Sequence, residues 1–173
     1  HQDYENKLYE AERIISLGLK GIKIHPDTQA FNMDDERMFE LYDFMQGKLS
    51  LLIHCGDYRY NFSHPARLAK LIKNFPKLTI IGAHFGGWSL QDLALEYLKN
   101  ENCYLDTSSS IMYLGKNRAK ELIQIYGAER ILFGTDYPMW DSSEELNRVM
   151  SLGLSDKEYE LILNKNASRI LNI

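Results

Sequence analysis

Short, continuous apolar runs alternate with amphipathic stretches along this chain. The runs are GIKIH (21–25), SLLIHCG (50–56), LTIIGAH (78–84), CYLDTSS (103–109) and ILFGTD (131–136). Each has strand length and is apolar at consecutive positions, the pattern of a strand covered on both faces. The intervening segments carry apolar residues at helical spacing. Residues 3–18 align Leu8, Ala11, Ile14 and Ile15 and stop at Gly18. Residues 34–47 align Met38, Leu41, Tyr42 and Met45 behind a cap at Asp34 or Asp35. Further helices are predicted over 64–75 with Pro65 in the first turn, over 89–100 capped by Ser89, and over 117–127 closed by Gly127. Two or three more fill the remainder, near 142–152, 156–164 and 165–172.

Five strand–helix alternations predict an α/β fold with parallel strands. No linker or change of composition interrupts them, so residues 1–173 read as one domain. The composition, 45% hydrophobic and 25% charged, is that of a globular chain, and the net charge of −4 argues against nucleic acid or an anionic membrane as partner. No apolar run approaches the ~18 residues of a membrane span, and no signal peptide is visible. Cys55 and Cys103 form no CxxC pair and read as reduced thiols, which points to a cytoplasmic setting. The chain opens on His1 and enters a helix almost at once, which suggests a fragment or a processed chain.

The chemistry is concentrated where the apolar runs end. His25, His54, His84, Asp106 and Asp136 occupy those positions, spaced by 29, 30, 22 and 30 residues. A βα unit is roughly 30 residues long, so each polar group falls at the carboxyl end of its own strand. That edge is where parallel α/β folds build their sites. One histidine at a strand end is ordinarily a satisfied structural residue. Three in equivalent positions, joined by Asp136, point to one shared site. Imidazole and carboxylate are good ligands for zinc, manganese or iron, and a cation offsets the cost of a buried carboxylate.

In this order IKIHP, LIHCG, AHFGG and FGTDYP resemble the amidohydrolase superfamily. More narrowly, they resemble its amidohydrolase-related branch (amidohydrolase 2) of metal-dependent hydrolases and decarboxylases. The resemblance runs from Leu19 onward and implies a (β/α)8 TIM barrel. On that pattern His54, on the fifth strand, is a metal ligand. His84, on the sixth, is a catalytic histidine that polarises substrate or moves a proton. Asp136, on the eighth, touches the metal and takes a proton from the water it activates. His25 lines the pocket from the fourth strand. Lys23 lies two residues earlier on the same strand face, where a structural or substrate-anion role is expected. The family's first-strand HxH pair has no counterpart here. A whole barrel takes ~250 residues, so the chain is expected to be the C-terminal part of one, about strands four to eight.

The resemblance implies a divalent metal, zinc first, with manganese or iron as alternatives. The implied reaction is hydrolysis of an amide, ester or lactone of a small molecule. The same residues suit non-oxidative decarboxylation of a small carboxylic acid, and a non-catalytic barrel fragment is the alternative outside enzymes. Arg59, in the loop after His54, either binds a substrate carboxylate or is solvated. Asp106 either lines the pocket or caps its loop. Trp88 and Trp140 either wall the pocket or pack under loops, and His64 reads as a helix cap. Cys55 faces away from His54 and reads as core. Unpaired strand edges make a homo-oligomer a possible state. A five-stranded flavodoxin-like sheet is the rival fold, against which stands the absence of a phosphate-binding Gly-rich loop.

Overall fold

The computed structural model describes residues 1–173. Its apolar runs form five strands: β1 (Gly21–Ile24), β2 (Ser50–Ile53), β3 (Ile80–Gly82), β4 (Tyr104–Asp106) and β5 (Ile131–Leu132). They pair in chain order, and every pairing is parallel. Leu51 stands beside Ile22 on one flank and Ile80 on the other; Leu105 stands beside Gly82 and Ile131. A doubly wound sheet reverses its strand order partway across. This sheet never does, which rules out the flavodoxin-like alternative and leaves the arc of a partial (β/α)8 barrel.

The strands stop short of the apolar runs that form them. Gly56, His84, Phe85, Gly86, Ser109 and Asp136 all have positive φ, between 50° and 79°. A left-handed residue cannot continue an extended ladder. The backbone therefore turns out of the sheet at the rim, and the polar run-ends become loop residues. β5 is cut further because the Phe133 N–H donates to Ile162 O rather than to a neighbouring strand.

Nine α-helical segments cover the outside: α1 (Lys7–Ser16), α2 (Pro26–Gln29), α3 (Phe39–Met45), α4 (Pro65–Asn74), α5 (Gln91–Leu98), α6 (Ile111–Tyr126), α7 (Ser142–Met150), α8 (Asp156–Glu160) and α9 (Asn166–Leu171). Asp35 caps a 3₁₀ turn before α3, and the His64 ring accepts from Ala66 N at the start of α4. Ser89 does not cap α5; its hydroxyl donates to Gly56 O and accepts from Tyr58 N, tying two loops together. The helix expected over 117–127 begins at Ile111 and bends at Gly115, whose φ is 72°. The last two predicted helices are one run, α8 and α9 joined by a π-helical turn at Leu161–Lys165. α2 was not expected at all, and it matters for the site.

Leu51, Ile53, Leu68, Ile80, Leu105, Leu122 and Ile131 are buried between sheet and helices in one continuous core. Cys55 lies in that core, as expected, and burial pushes its thiol well above the ordinary range. No helix is long and apolar enough to cross a membrane.

Candidate metal centre and cleft

At the carboxyl end of the sheet a cleft of about 300 Å³ opens. His25, His54, His84 and Asp136 line it together, as do Lys23, Arg59 and Trp88. The sequence-predicted residues thus meet on one wall system, with one exception. Asp106 is buried behind His84 and does not line the cleft. Its Oδ1 accepts from His84 N at 2.9 Å and from Ser108 N at 3.0 Å, so it braces two loops from beneath.

That bracing sets the protonation pattern of the histidines. The Ser108 hydroxyl donates to the Asp106 carboxylate, which can only accept. The Ser108 oxygens then face His84 Nδ1 as acceptors, the carbonyl at 2.9 Å and the hydroxyl at 3.0 Å. His84 Nδ1 therefore carries a proton, and in the singly protonated ring Nε2 offers a lone pair. His54 Nδ1 lies 3.0 Å from that atom and must donate to it. His54 Nε2 is left with a bare lone pair. It is buried and has no hydrogen-bond partner.

The atom that His54 Nε2 faces is Asp27 Oδ2, 3.5 Å away. This is no ion pair. Burial, chiefly, pushes His54 down to about 2, with the nearby Lys23 adding to the fall, so its ring is neutral. A lone pair confronting a carboxylate oxygen is unfavourable unless a metal cation or a proton shared with Asp27 lies between them. Burial also raises Asp27, against the hydrogen bonds from Ser63, and the nearby charge of Asp57 adds to the rise. His25 completes the cluster. Its ring stacks on His54 with centroids 3.8 Å apart, and burial and Lys23 lower it. One donor atom each from His25, Asp27 and His54 lies within 4.8 Å of the others. Two nitrogens and one carboxylate oxygen suit a divalent cation.

Asp27 was missed by the sequence reading. Its signal was Pro26, which fits the first position of a helix and turns the chain inward as α2 directly after β1. Asp136, expected as a ligand, lines the cleft but is not among the three converging donors. Its Oδ2 accepts a 2.7 Å hydrogen bond from Ser109, whose oxygen in turn accepts from the Trp140 indole N–H at 2.8 Å. Trp140 thus packs under the loop and orients Asp136 through Ser109. Arg59 is held by Asp57 at 2.6 Å, with its guanidinium 5.8 Å from the Trp88 ring.

A model of the amidohydrolase family matches residues 3–173. No curated protein matches the sequence. An uncharacterised TIM-barrel protein from Bordetella bronchiseptica is similar in structure, with a TM-score of 0.77 and 24% identity over 95% of this chain and 61% of that one. A dihydroxybenzoic acid decarboxylase from Polaromonas sp. JS666, solved with manganese and 2-nitroresorcinol, also gives 0.77, at 20% identity over 99% of this chain and 66% of that one. A 5-carboxyvanillate decarboxylase from Novosphingobium aromaticivorans, solved with manganese, again gives 0.77, at 19% identity over 99% and 62%. The chain thus spans less than two thirds of the length of each of these three proteins.

Proposed function

This chain belongs to the amidohydrolase family, and we propose that it carries the cation site and reaction cleft of a metal-dependent hydrolase acting on a small carboxylate-bearing molecule. The observation that carries this reading is the bare, buried lone pair of His54 facing Asp27. His54, Asp27 and His25 hold the cation, with zinc, manganese or iron as the candidates. Such a cation supplies a Lewis acid that polarises a carbonyl and brings the pKa of water towards ~7.

The chain's own groups do the rest. Asp136, fixed through one oxygen by Ser109, keeps the other free to accept a proton from the attacking water. His84, whose Nδ1 is committed to Ser108, accepts from His54 Nδ1 at its Nε2 and so acts on the site by orienting the His54 ring. Lys23 and Arg59 supply positive charge for a substrate carboxylate, and Trp88 supplies an apolar wall. A second reading is non-oxidative decarboxylation. It is favoured by the two structurally similar decarboxylases, and in it Asp136 passes a proton to carbon.

Calorimetric titration of the purified protein with Mn²⁺ and Zn²⁺ tests the site. Removing an outer-shell partner of a metal ligand typically costs about 10–100-fold in affinity, so losing His54 itself in H54A should cost at least that. Binding that is unchanged in both H54A and D27A would overturn the proposal. A screen of small carboxylated lactones, amides and aromatic acids then separates the reactions: ¹⁸O from water enters a hydrolysis product, whereas decarboxylation releases CO₂.

A further inference from the structure

Ser63 is completely buried and does not line the cleft. Its backbone N–H donates to Asp27 Oδ1 at 3.2 Å, and its hydroxyl contacts Asp27 Oδ2. On its other side the amides of Gly56 and Asp57 approach the same hydroxyl oxygen at 3.1 and 3.5 Å. Polarity decides the direction of every bond. Amides can only donate, so the oxygen accepts from them, and its single proton goes to Asp27. Gly56 N also donates to Ser63 O at 2.9 Å, closing the 56–63 loop on itself. One residue therefore holds both oxygens of Asp27 and the neck of a loop. The same loop carries Asp57 and Arg59.

We propose that Ser63 is a positioning residue that fixes Asp27 for the cation and couples cation binding to the order of the Arg59 loop. This rests on the reading of His25, Asp27 and His54 as the cation's donors. Without the two Ser63 donors, the Asp27 carboxylate can turn about its side-chain torsions and away from His54. With them, a cation that pins Asp27 also pins the hydroxyl on which the Gly56 and Asp57 amides rest. The coupling is reciprocal: an ordered loop favours the cation as much as the cation favours the loop. The loop that presents a cationic side chain to substrate is then best ordered when the metal is in place.

The test uses Mn²⁺ alone as ligand and two readouts, calorimetric affinity and amide hydrogen exchange over residues 56–62. In the unmodified protein Mn²⁺ should slow exchange in this loop. Ser63→Ala should weaken Mn²⁺ by about tenfold and abolish that slowing. Asp27→Asn keeps the size of the side chain and, at a Mn²⁺ concentration that still fills the site through His25 and His54, should also abolish it, which tests the coupling even if Ser63→Ala fails to fold. Slowing that persists in Asp27→Asn, or wild-type affinity in Ser63→Ala, overturns the proposal. If His54→Ala still loses Mn²⁺ in that case, the cation site itself stands. If His54→Ala binds as well as the unmodified protein, both readings fall together.

Discussion

At the scale of single residues, the site is governed by which atoms can donate and which can only accept. The Asp106–Ser108–His84–His54 chain is directional, and it delivers a lone pair rather than a proton to the cleft. Ser109 works by the same logic on Asp136, because an indole N–H can only donate and so forces the serine proton towards the carboxylate. Ser109 holds this position at φ 50°, a left-handed conformation that costs a non-glycine residue of order 1–3 kcal/mol. Ser109→Gly relieves that strain and removes the hydroxyl. The melting temperature should therefore hold or rise, while turnover of a substrate found in the screen falls with KM little changed. Asp136→Asn should lower turnover by roughly 10²–10⁴-fold, the usual worth of a general base. Near-normal turnover in the metal-loaded Asn variant would remove Asp136 from that role.

At the scale of elements, short strands followed by left-handed turns place these side chains at the rim. The β2 and β3 exits interlock at Gly56 and Gly87. A Cβ on Gly56 would lie 2.3 Å from the Gly87 Cα, and Gly56 itself sits at φ 79°. Gly56→Ala therefore meets a steric clash with backbone as well as conformational strain, and should cost about 2–4 kcal/mol in denaturant unfolding. A loss under 1 kcal/mol would mean that the two loops can separate freely. Beneath the rim, Leu105 on β4 is fully buried between its neighbours. Leu105→Ala should cost about 2–5 kcal/mol through lost burial and the cavity left behind.

At the scale of the whole molecule, the buried site makes the fold sensitive to acid. His54 is held far below its ordinary value of 6.5, down to about 2, chiefly by burial. Between those values the unfolded chain binds a proton that the folded chain refuses. The stability associated with His54 is thus fully present above about 6.5 and is lost as pH falls through that value towards 2. Asp27, raised by burial, acts in the opposite sense above the ordinary carboxylate value, so it partly offsets the effect. Denaturant unfolding between pH 7 and pH 5 should show stability falling, with His54 contributing at most about 1.4 kcal/mol per pH unit and the lowered His25 adding to it, and with a flatter profile in His54→Asn. The sheet adds a second property. β1 has a strand neighbour on one side only, and an open edge invites pairing. For a chain of residues 1–173 alone, sedimentation should show association rising with protein concentration, and Pro substituted on the outer edge of β1 should reduce it.

The apolar runs by themselves determined the number of strands, their parallel arrangement and the edge at which the chemistry lies, because a strand covered on both faces needs consecutive apolar residues and ends where polar ones begin. They also placed His25, His54, His84 and Asp136 in one cleft, because βα units of similar length return the chain to the same rim. Tertiary structure alone decided which atoms converge. Asp27 enters through the four-residue helix α2, whose shortness leaves no periodicity to read. Ser63, Ser108 and Ser109 act through hydrogen bonds whose partners lie between 2 and 36 residues away. Asp106 changed from a candidate cleft residue to a buried brace for a similar reason. A side chain's position along a strand says which rim it occupies, but the direction it takes there is set by left-handed turns and by partners that only folding brings within reach.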